Sequence, residues 1–354
     1  MKKKVVIAVG GTGGHLFPAQ SFAEELVDAD VVFIGKGLGK NSYFDRKRFA
    51  FHDVESMTPF RGKWRSAYLI IKGIITCLSL LSKIKPDLVV GFGSFHAFPV
   101  LVAARLRRIP IALFESNAMP GKVIRLFSKK AKVTGVYMDG AKKWLKGHVV
   151  SVEMPFGKRF KEACISKADA LQELGLVSNH LTLLVLGGSQ GAQKLNATLL
   201  ELLPFIKQHH LPWQLIHLTG SDEMSKEIAK LCKALDIPCY VKPFDKRMSC
   251  LFQAADLAVC RAGAVTVAEL LYHAIPSILV PYPSASDAHQ EKNARFVQDV
   301  VQGGIQLPEE KLSAQKLLDL LISLDKEALL KREKITQFKA KENRPSLATL
   351  VRGL

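Results

Sequence analysis

An apolar run that ends in glycines and gives way at once to a helical pattern is the feature that most narrows what this chain can become, and it occurs twice. Near the N-terminus, Val5–Val9 feeds Gly10-Gly11-Thr12-Gly13-Gly14-His15, and helical spacing follows over Phe17–Val27. Past mid-chain, Leu181–Leu186 feeds Gly187-Gly188-Ser189-Gln190-Gly191-Ala192, followed by a helix pattern through Leu203. A strand that is apolar on both faces belongs in a parallel sheet covered on both sides. A glycine turn leading from it into a helix aims unpaired backbone N–H groups at an anion, so each turn reads as a phosphate or diphosphate site. His15 adds a group that titrates near neutrality to the first of them.

The remaining chain keeps the same rhythm. Short apolar runs recur between helical stretches at Val31–Ile34, Leu88–Val90, Ile111–Phe114 and Val133–Val136, and again at Gln214–Leu218, Cys239–Val241, Leu257–Val259 and Ser277–Val280. This alternation predicts an α/β protein of two doubly wound parallel sheets with helices on both faces. Proline and glycine in Glu153-Met154-Pro155-Phe156-Gly157-Lys158 break the pattern and mark the hinge. The expected bounds are 1–155 for the first lobe and 156–335 for the second, with 336–354 a tail whose apolar end, Leu347–Val351, returns to the first lobe. Ligands of open α/β sheets gather outside the carboxyl ends of the strands, so the site is expected in a cleft lined by both glycine turns.

Lys and Arg number 50 against 32 Asp and Glu, a formal charge of +18, while 48% of residues are hydrophobic, which excludes general disorder. Phosphorylated substrates and an anionic membrane surface are the partners this charge favours; nucleic acid is not expected, because no basic and aromatic residues interleave on a sheet. The six cysteines form no C-x-x-C pair and have no histidine at ligand spacing, so they read as reduced core residues of a cytosolic protein, and no metal or cofactor is expected. Asp28-Ala29-Asp30 has the form of a metal-binding triplet but falls at the wrong end of the sheet. The apolar stretch after Met1-Lys2-Lys3-Lys4 is too short for a signal peptide, and no run is expected to reach the roughly 18 residues of a spanning helix.

Two familiar nucleotide chemistries fail. The third glycine of a dinucleotide fingerprint is replaced by Leu16, and the second strand ends in Gly35-Lys36 where an acidic ribose ligand belongs. The pair Gly39-Lys40 lacks the upstream glycine and the following hydroxyl of a P-loop. In the second half, Arg261-Ala262-Gly263-Ala264-Val265-Thr266-Val267-Ala268-Glu269 begins at a strand end and enters a helix, whose first-turn amides suit another phosphate while Glu269 reaches a ribose diol. Asp287-Ala288-His289-Gln290-Glu291-Lys292-Asn293-Ala294 offers carboxylate and amide groups to sugar hydroxyls.

Taken together, Gly10–His15 with Phe17-Pro18, Glu115-Ser116-Asn117, Gly187–Ala192, Cys260–Glu269 and Asp287–Ala294 resemble, in order and over nearly the whole chain, the MurG family of bacterial peptidoglycan glycosyltransferases. The resemblance implies the GT-B fold, two Rossmann-like lobes around a cleft. It also implies an inverting transfer of N-acetylglucosamine (GlcNAc) from UDP-GlcNAc to the 4-hydroxyl of undecaprenyl-diphosphate-linked muramyl-pentapeptide. A diacylglycerol sugar transferase of the same fold, or a non-catalytic nucleotide-sugar-binding subunit, is the alternative. By the resemblance His15 is either the base that activates the acceptor hydroxyl or a ligand of the acceptor diphosphate, and Glu115 orients His15 or a substrate hydroxyl, or caps the helix after Pro120. Thr12, Gly13, Gly14, Asn117, Ser189, Gln190, Gly191, Gly263, Ala264, Glu269 and Gln290 fall on the donor side, Glu269 at the ribose and Gln290 at the sugar. Arg261 holds phosphate or uracil, or else bonds backbone carbonyls.

Two departures stand out. The family's hinge arginine is missing from Glu153–Gly157, with Lys158 and Arg159 as the nearest replacements, and Asp245-Lys246-Arg247 stands where an apolar residue commonly neighbours uracil. Phe60-Arg61-Gly62-Lys63-Trp64-Arg65 leads into an almost wholly apolar helix, Tyr68–Leu81, interrupted by Lys72. Trp64, Arg65, Ile71, Lys72 and Ile75, with Gly11, are the residues expected to meet the lipid-linked acceptor and the membrane, each basic group contributing about 1 kcal/mol near an anionic surface.

Overall fold

The computed structural model describes residues 2–11, 13–56, 63–157, 160, 165–187, 192–341 and 343–354, with the side chains of 63, 65 and 286 outside the description. They form two compact units. One comprises Met1–Lys158 together with Arg344–Leu354, the other Arg159–Asn343. The change of unit falls three residues beyond the expected bound, and the return begins at Arg344 rather than at 336, because the helix Ala328–Lys341 stays with the second unit.

The first unit holds a seven-stranded sheet made of β1 (Lys3–Ala8), β2 (Ala29–Gly35), β3 (Ala50–Asp53), β4 (Leu88–Gly91), β5 (Ile111–Glu115), β6 (Val133–Val136) and β7 (Val149–Ser151), in the order β3-β2-β1-β4-β5-β6-β7. Every pairing is parallel, with Val5 opposite Val31 on one side and Leu88 on the other. The second unit has six parallel strands, β8 (Leu181–Leu186), β9 (Trp213–Leu218), β10 (Cys239–Lys242), β11 (Leu257–Cys260), β12 (Ser277–Leu279) and β13 (Gly304–Gln306), in the order β10-β9-β8-β11-β12-β13. Both are Rossmann-like, as expected. The strands missing from the sequence reading, β3, β7 and β13, all lie at sheet edges, where partial exposure removes the apolar run that betrays a central strand.

Close packing within each unit depends on particular small residues. A Cβ on Gly35 would lie 1.6 Å from the Val9 carbonyl, so the crossing of the β1 and β2 ends admits no side chain. In the helix Lys63–Ile84 a Cβ on Gly73 would lie 2.1 Å from the Glu55 carbonyl. That helix corrects the expectation about apolar runs: Ser66–Ile84, with a mean hydropathy of 1.7, is long and apolar enough to cross a membrane by length and composition. Its two faces differ, however. Ser66, Gly73, Cys77 and Leu81 are buried in the unit, whereas Trp64, Tyr68, Ile71 and Ile75 are exposed.

The C-terminal return is anchored within the first unit. Arg344 donates to the Tyr137 carbonyl and pairs with Asp139 at 3.1 Å, Glu153 N donates to the Pro345 carbonyl at 3.2 Å, and Lys3 Nζ donates to the Val351 carbonyl at 3.3 Å. Leu347, Ala348 and Val351 of the closing helix Leu347–Arg352 are buried.

Candidate functional site

In the first unit the chain runs outward from β1 to β3 and then crosses to the other side of β1 for β4, so the switch point lies between β1 and β4, where a doubly wound sheet opens a crevice at its carboxyl edge. Gly11, at φ 93°, turns the backbone as only glycine does readily, and Asn41 Nδ2 holds its carbonyl at 2.8 Å. His15 follows in the first turn of the helix Gly13–Glu25. Its ring lies against the neighbouring turn: a Cβ on Gly93 would sit 3.3 Å from His15 Cε1 and 3.4 Å from Nδ1. Gly13 is buried and Gly14 exposed, while Thr12 lies outside the described residues.

The turn after β4 was not anticipated as part of the site. Gly93 has φ 73°, and Ser94, at φ 65° and ψ 147°, occupies a region that residues with a side chain rarely adopt. Strain of this kind, at a switch point and against a histidine, marks a place where the surrounding structure dictates the backbone. His96 belongs to the same corner, since a Cβ on Gly10 would come within 2.7 Å of its own Cβ. Burial, and then the charge of Lys36, hold its imidazole below the usual histidine range, and its buried Nδ1 has no hydrogen-bond partner among the described residues. The signal was in the sequence: Leu88–Gly91 runs into Phe92-Gly93, a third strand-to-glycine step.

Glu115 ends β5, the next strand along, and is buried. One carboxylate oxygen accepts from the backbone N and Nδ2 of Asn117, both at 2.9 Å, and the other from Gly121 N at 2.9 Å. Of the roles open to it, these bonds fit the cap: Gly121 is the N-cap of the helix Lys122–Ser128, and Glu115 shapes the turn that presents Asn117.

The second unit repeats the arrangement with its switch point between β8 and β11. Gly187 is buried at the end of β8, Ala192 caps the helix Gln193–Gln208, and Ser189, Gln190 and Gly191 between them lie outside the described residues, as do Lys158 and Arg159. After β11, Gly263 is the N-cap of the helix Ala264–Tyr272 and supplies no side-chain acceptor, so the first N–H groups of that helix are available to an anion. Glu269 stands on the same helix. Burial pushes its carboxyl up to about 8, and among the described residues no donor meets it. It lies near enough to Cys260 to add to the burial that lifts that thiol.

Arg261 differs from the donor-binding expectation. Its Nη1 donates to the carbonyls of Val280 and Pro281 at 3.3 and 3.4 Å, its Nη2 pairs with Glu309, and its guanidinium lies over the Tyr282 ring at 5.5 Å. With those groups committed, the arginine ties the ends of β11 and β12 together. Gln290, in the helix His289–Arg295, accepts from Tyr282 N at 2.9 Å through Oε1. Just before it, Asp287 and Ala288 are both left-handed, at φ 51° and 53°, a second strained pair beside the proposed sugar-binding residue. Asp245 is also fixed: desolvation would raise its carboxyl, but hydrogen bonds from Arg247 and Tyr240 prevail and hold it at about 2.

Among the described residues no three His, Cys, Asp or Glu side chains gather as a metal site. The exposed stripe of the helix Lys63–Ile84, with Trp64 90% and Ile75 62% accessible, repeats at intervals of four, three and four residues and is bordered by Lys72. Nothing is described of the Arg65 side chain.

Residues 5–136 match the glycosyltransferase family 28 N-terminal domain and 182–350 the glycosyltransferase family 28 C-terminal domain. The chain is 38% identical, over 99% of its length and 96% of the relative's, to a UDP-N-acetylglucosamine–N-acetylmuramyl-(pentapeptide) pyrophosphoryl-undecaprenol N-acetylglucosamine transferase of Protochlamydia amoebophila. The protein of that name from Chlamydia trachomatis is 35% identical over 90% of this chain and 91% of its own. The crystal structure of Acinetobacter baumannii MurG superimposes with a TM-score of 0.77 at 25% identity, covering 99% of this chain and all of that one.

Proposed function

The chain belongs to the MurG family within glycosyltransferase family 28, and from that premise we propose that it transfers GlcNAc from UDP-GlcNAc to lipid-linked muramyl-pentapeptide, the glycosyl transfer of peptidoglycan synthesis. The observation that carries the reading lies in one helix. An open N-terminus at Gly263 is followed, six residues or roughly 9 Å along the axis, by Glu269, whose carboxyl meets no donor among the described residues. An anion site and a diol site at that separation suit a nucleoside diphosphate, with the leaving diphosphate on the amides and the ribose hydroxyls donating to Glu269.

In the mechanism this implies, the 4-hydroxyl of the muramyl sugar attacks the anomeric carbon as the bond to UDP breaks, with inversion and no covalent enzyme intermediate. His15, in the first turn of its helix and set by Gly93, takes the hydroxyl proton. Charge developing on the departing UDP is met by the amides at Gly263 and Ala264 and by the positive end of that helix. The Glu115 turn presents Asn117 to the sugar, and Gln290 offers its amide to a sugar hydroxyl. Ser189, Gln190 and Gly191, outside the described residues, are assigned to the donor by their place in the family's motif. The stripe Trp64, Tyr68, Ile71 and Ile75, with Lys72, is the surface that rests on anionic lipid and lets a first-unit site reach an acceptor anchored there.

The test is transfer of labelled GlcNAc from UDP-GlcNAc to purified lipid-linked muramyl-pentapeptide, with chelator present and diacylglycerol as competing acceptor. Product on the muramyl lipid is the expected result. Transfer to diacylglycerol alone, or to neither, overturns the reading.

A further inference from the structure

The helix Asp222–Ala234 and the strand that follows it each carry a cysteine, Cys232 in the last turn of the helix and Cys239 at the first position of β10. The connection between them is tight. Leu235 N and Ile237 N both donate to the Cys232 carbonyl, at 3.2 and 2.9 Å, and Asp236, left-handed at φ 54°, reverses the chain. The Pro238 carbonyl then accepts from Leu215 N at 3.0 Å and Cys239 pairs with Leu215, so β10 sets out beside the helix it came from. Side chains alternate along a strand, and Cys239 and Val241 share the face that the helix covers, packed with Ile228, Leu231 and Cys232. Both cysteines are free thiols, and the two thiols are hydrogen-bonded to each other.

The pair is asymmetric. Cys232 is buried at the negative end of its helix, and the bond to Cys239, together with burial, lifts its thiol. Cys239 is half-buried on an edge strand, and the bond from Cys232 lowers its thiol in spite of its burial. Cys232 therefore donates and Cys239 accepts. Elsewhere burial pushes the thiols of Cys77 and Cys250 up to about 12 and about 11, beyond easy ionisation. A sulfur that solvent can reach, backed by a buried thiol in contact with it, is the arrangement in which one cysteine attacks and the other resolves.

We propose that Cys232 and Cys239 form a reversible disulfide by exchange with small-molecule disulfides of the glutathione type. Cys239, as thiolate, attacks one sulfur of the small disulfide, whose S–S bond breaks; one small thiolate leaves and a mixed disulfide stands on Cys239. Cys232 passes its proton to the departing thiolate, its sulfur attacks Cys239 Sγ, and the second small thiolate leaves. Two protein thiols are thus oxidised by two electrons as one small disulfide is reduced to two thiols, and excess small thiol runs the steps backward. Sulfurs already in hydrogen-bond contact have about 2 Å or less to travel before they bond, within the reach of side-chain torsions. The bond closes an eight-residue ring and staples the helix to the outermost strand, which also carries Tyr240 and its links to Asp245 and Arg247.

The experiment is anaerobic incubation of the full, folded chain with oxidised and reduced glutathione at graded ratios, followed by alkylation of free thiols, trypsin digestion and peptide mass mapping. Trypsin cuts at Lys233, between the two cysteines. The expected product is a single internal link from Cys232 to Cys239, about 2 Da lighter than the two reduced peptides together, which grows with the oxidised fraction and disappears on return to reduced glutathione. Cys232→Ser leaves the attacking thiol unresolved and should accumulate glutathione on Cys239, whereas Cys239→Ser should leave Cys232 unmodified. No link between Cys232 and Cys239 in the folded wild type, a link that forms only in urea, or glutathione on Cys232 in Cys239→Ser overturns the proposal. Mapping of the wild type, folded and in urea, decides the matter even where a variant does not fold.

Discussion

Replacing Glu269 with glutamine separates what this side chain costs the empty protein from what it contributes to the donor. Its carboxyl titrates at about 8 in the folded chain against 4.5 for an ordinary glutamate, so between those values the folded state holds a proton that the unfolded chain has released. Stability is therefore present at low pH and is lost as pH climbs from about 4.5 toward about 8. Integrated to pH 7 the loss approaches about 3 kcal/mol, and at pH 5 it is under about 1. Glu269→Gln keeps the shape without the proton. Urea or thermal unfolding of the two proteins should agree within about 1 kcal/mol at pH 5 and diverge to about 3 at pH 7, the variant being the more stable by roughly 6–10 °C in a unit of this size. Saturating UDP-GlcNAc should narrow the gap at pH 7 by about 1.4 kcal/mol without closing it, since hydrogen bonds from a diol to a carboxylate exceed those to an amide and donor affinity falls about tenfold. Parallel pH curves would refute the burial argument, and an unchanged donor Kd would refute the ribose assignment.

His15→Ala should lower kcat by about 10²–10³ with UDP-GlcNAc affinity unchanged, read from steady-state transfer and calorimetry. Gly93→Ala forces a side chain onto φ 73° and a methyl to 3.3 Å from His15, so melting should show a loss of about 1–2 kcal/mol and turnover should fall with it. Ile71→Glu combined with Ile75→Glu should weaken sedimentation with phosphatidylglycerol vesicles by about 100-fold, from roughly 1.5 kcal/mol for each side chain, and spare donor binding. Arg261→Met leaves Glu309 without its cation and should cost about 3 kcal/mol in urea unfolding; unchanged stability with weakened donor binding would return Arg261 to the ligand.

The central strands of both sheets were legible because they are buried on both faces and so must be apolar throughout. Of the four edge strands only β10 was, since Val149–Ser151 and Gly304–Gln306 are short and half-exposed and Ala50–Asp53 is largely exposed. At the candidate site, positions in the backbone were the easier to read: Gly11 at a turn, His15 in the first turn of its helix, and the helix start at Gly263. Arg261 and Glu115 were harder. A cation or carboxylate at a strand end serves a ligand or a turn equally well on paper, and the bonds to Val280, Glu309 and Gly121 come from distant or later parts of the chain. His96 escaped because nothing in its own neighbourhood of sequence reveals that it lies on Gly10, a contact made through the pairing of β1 with β4.

The two ends of the chain meet in the first unit, with the second inserted between them as a continuous stretch. During synthesis the second unit leaves the ribosome whole, while the first awaits the last eleven residues, Arg344–Leu354, before Leu347 and Val351 can fill their places beside Gly135 and Lys3. Removing residues 344–354 would thus spoil the half of the molecule made first.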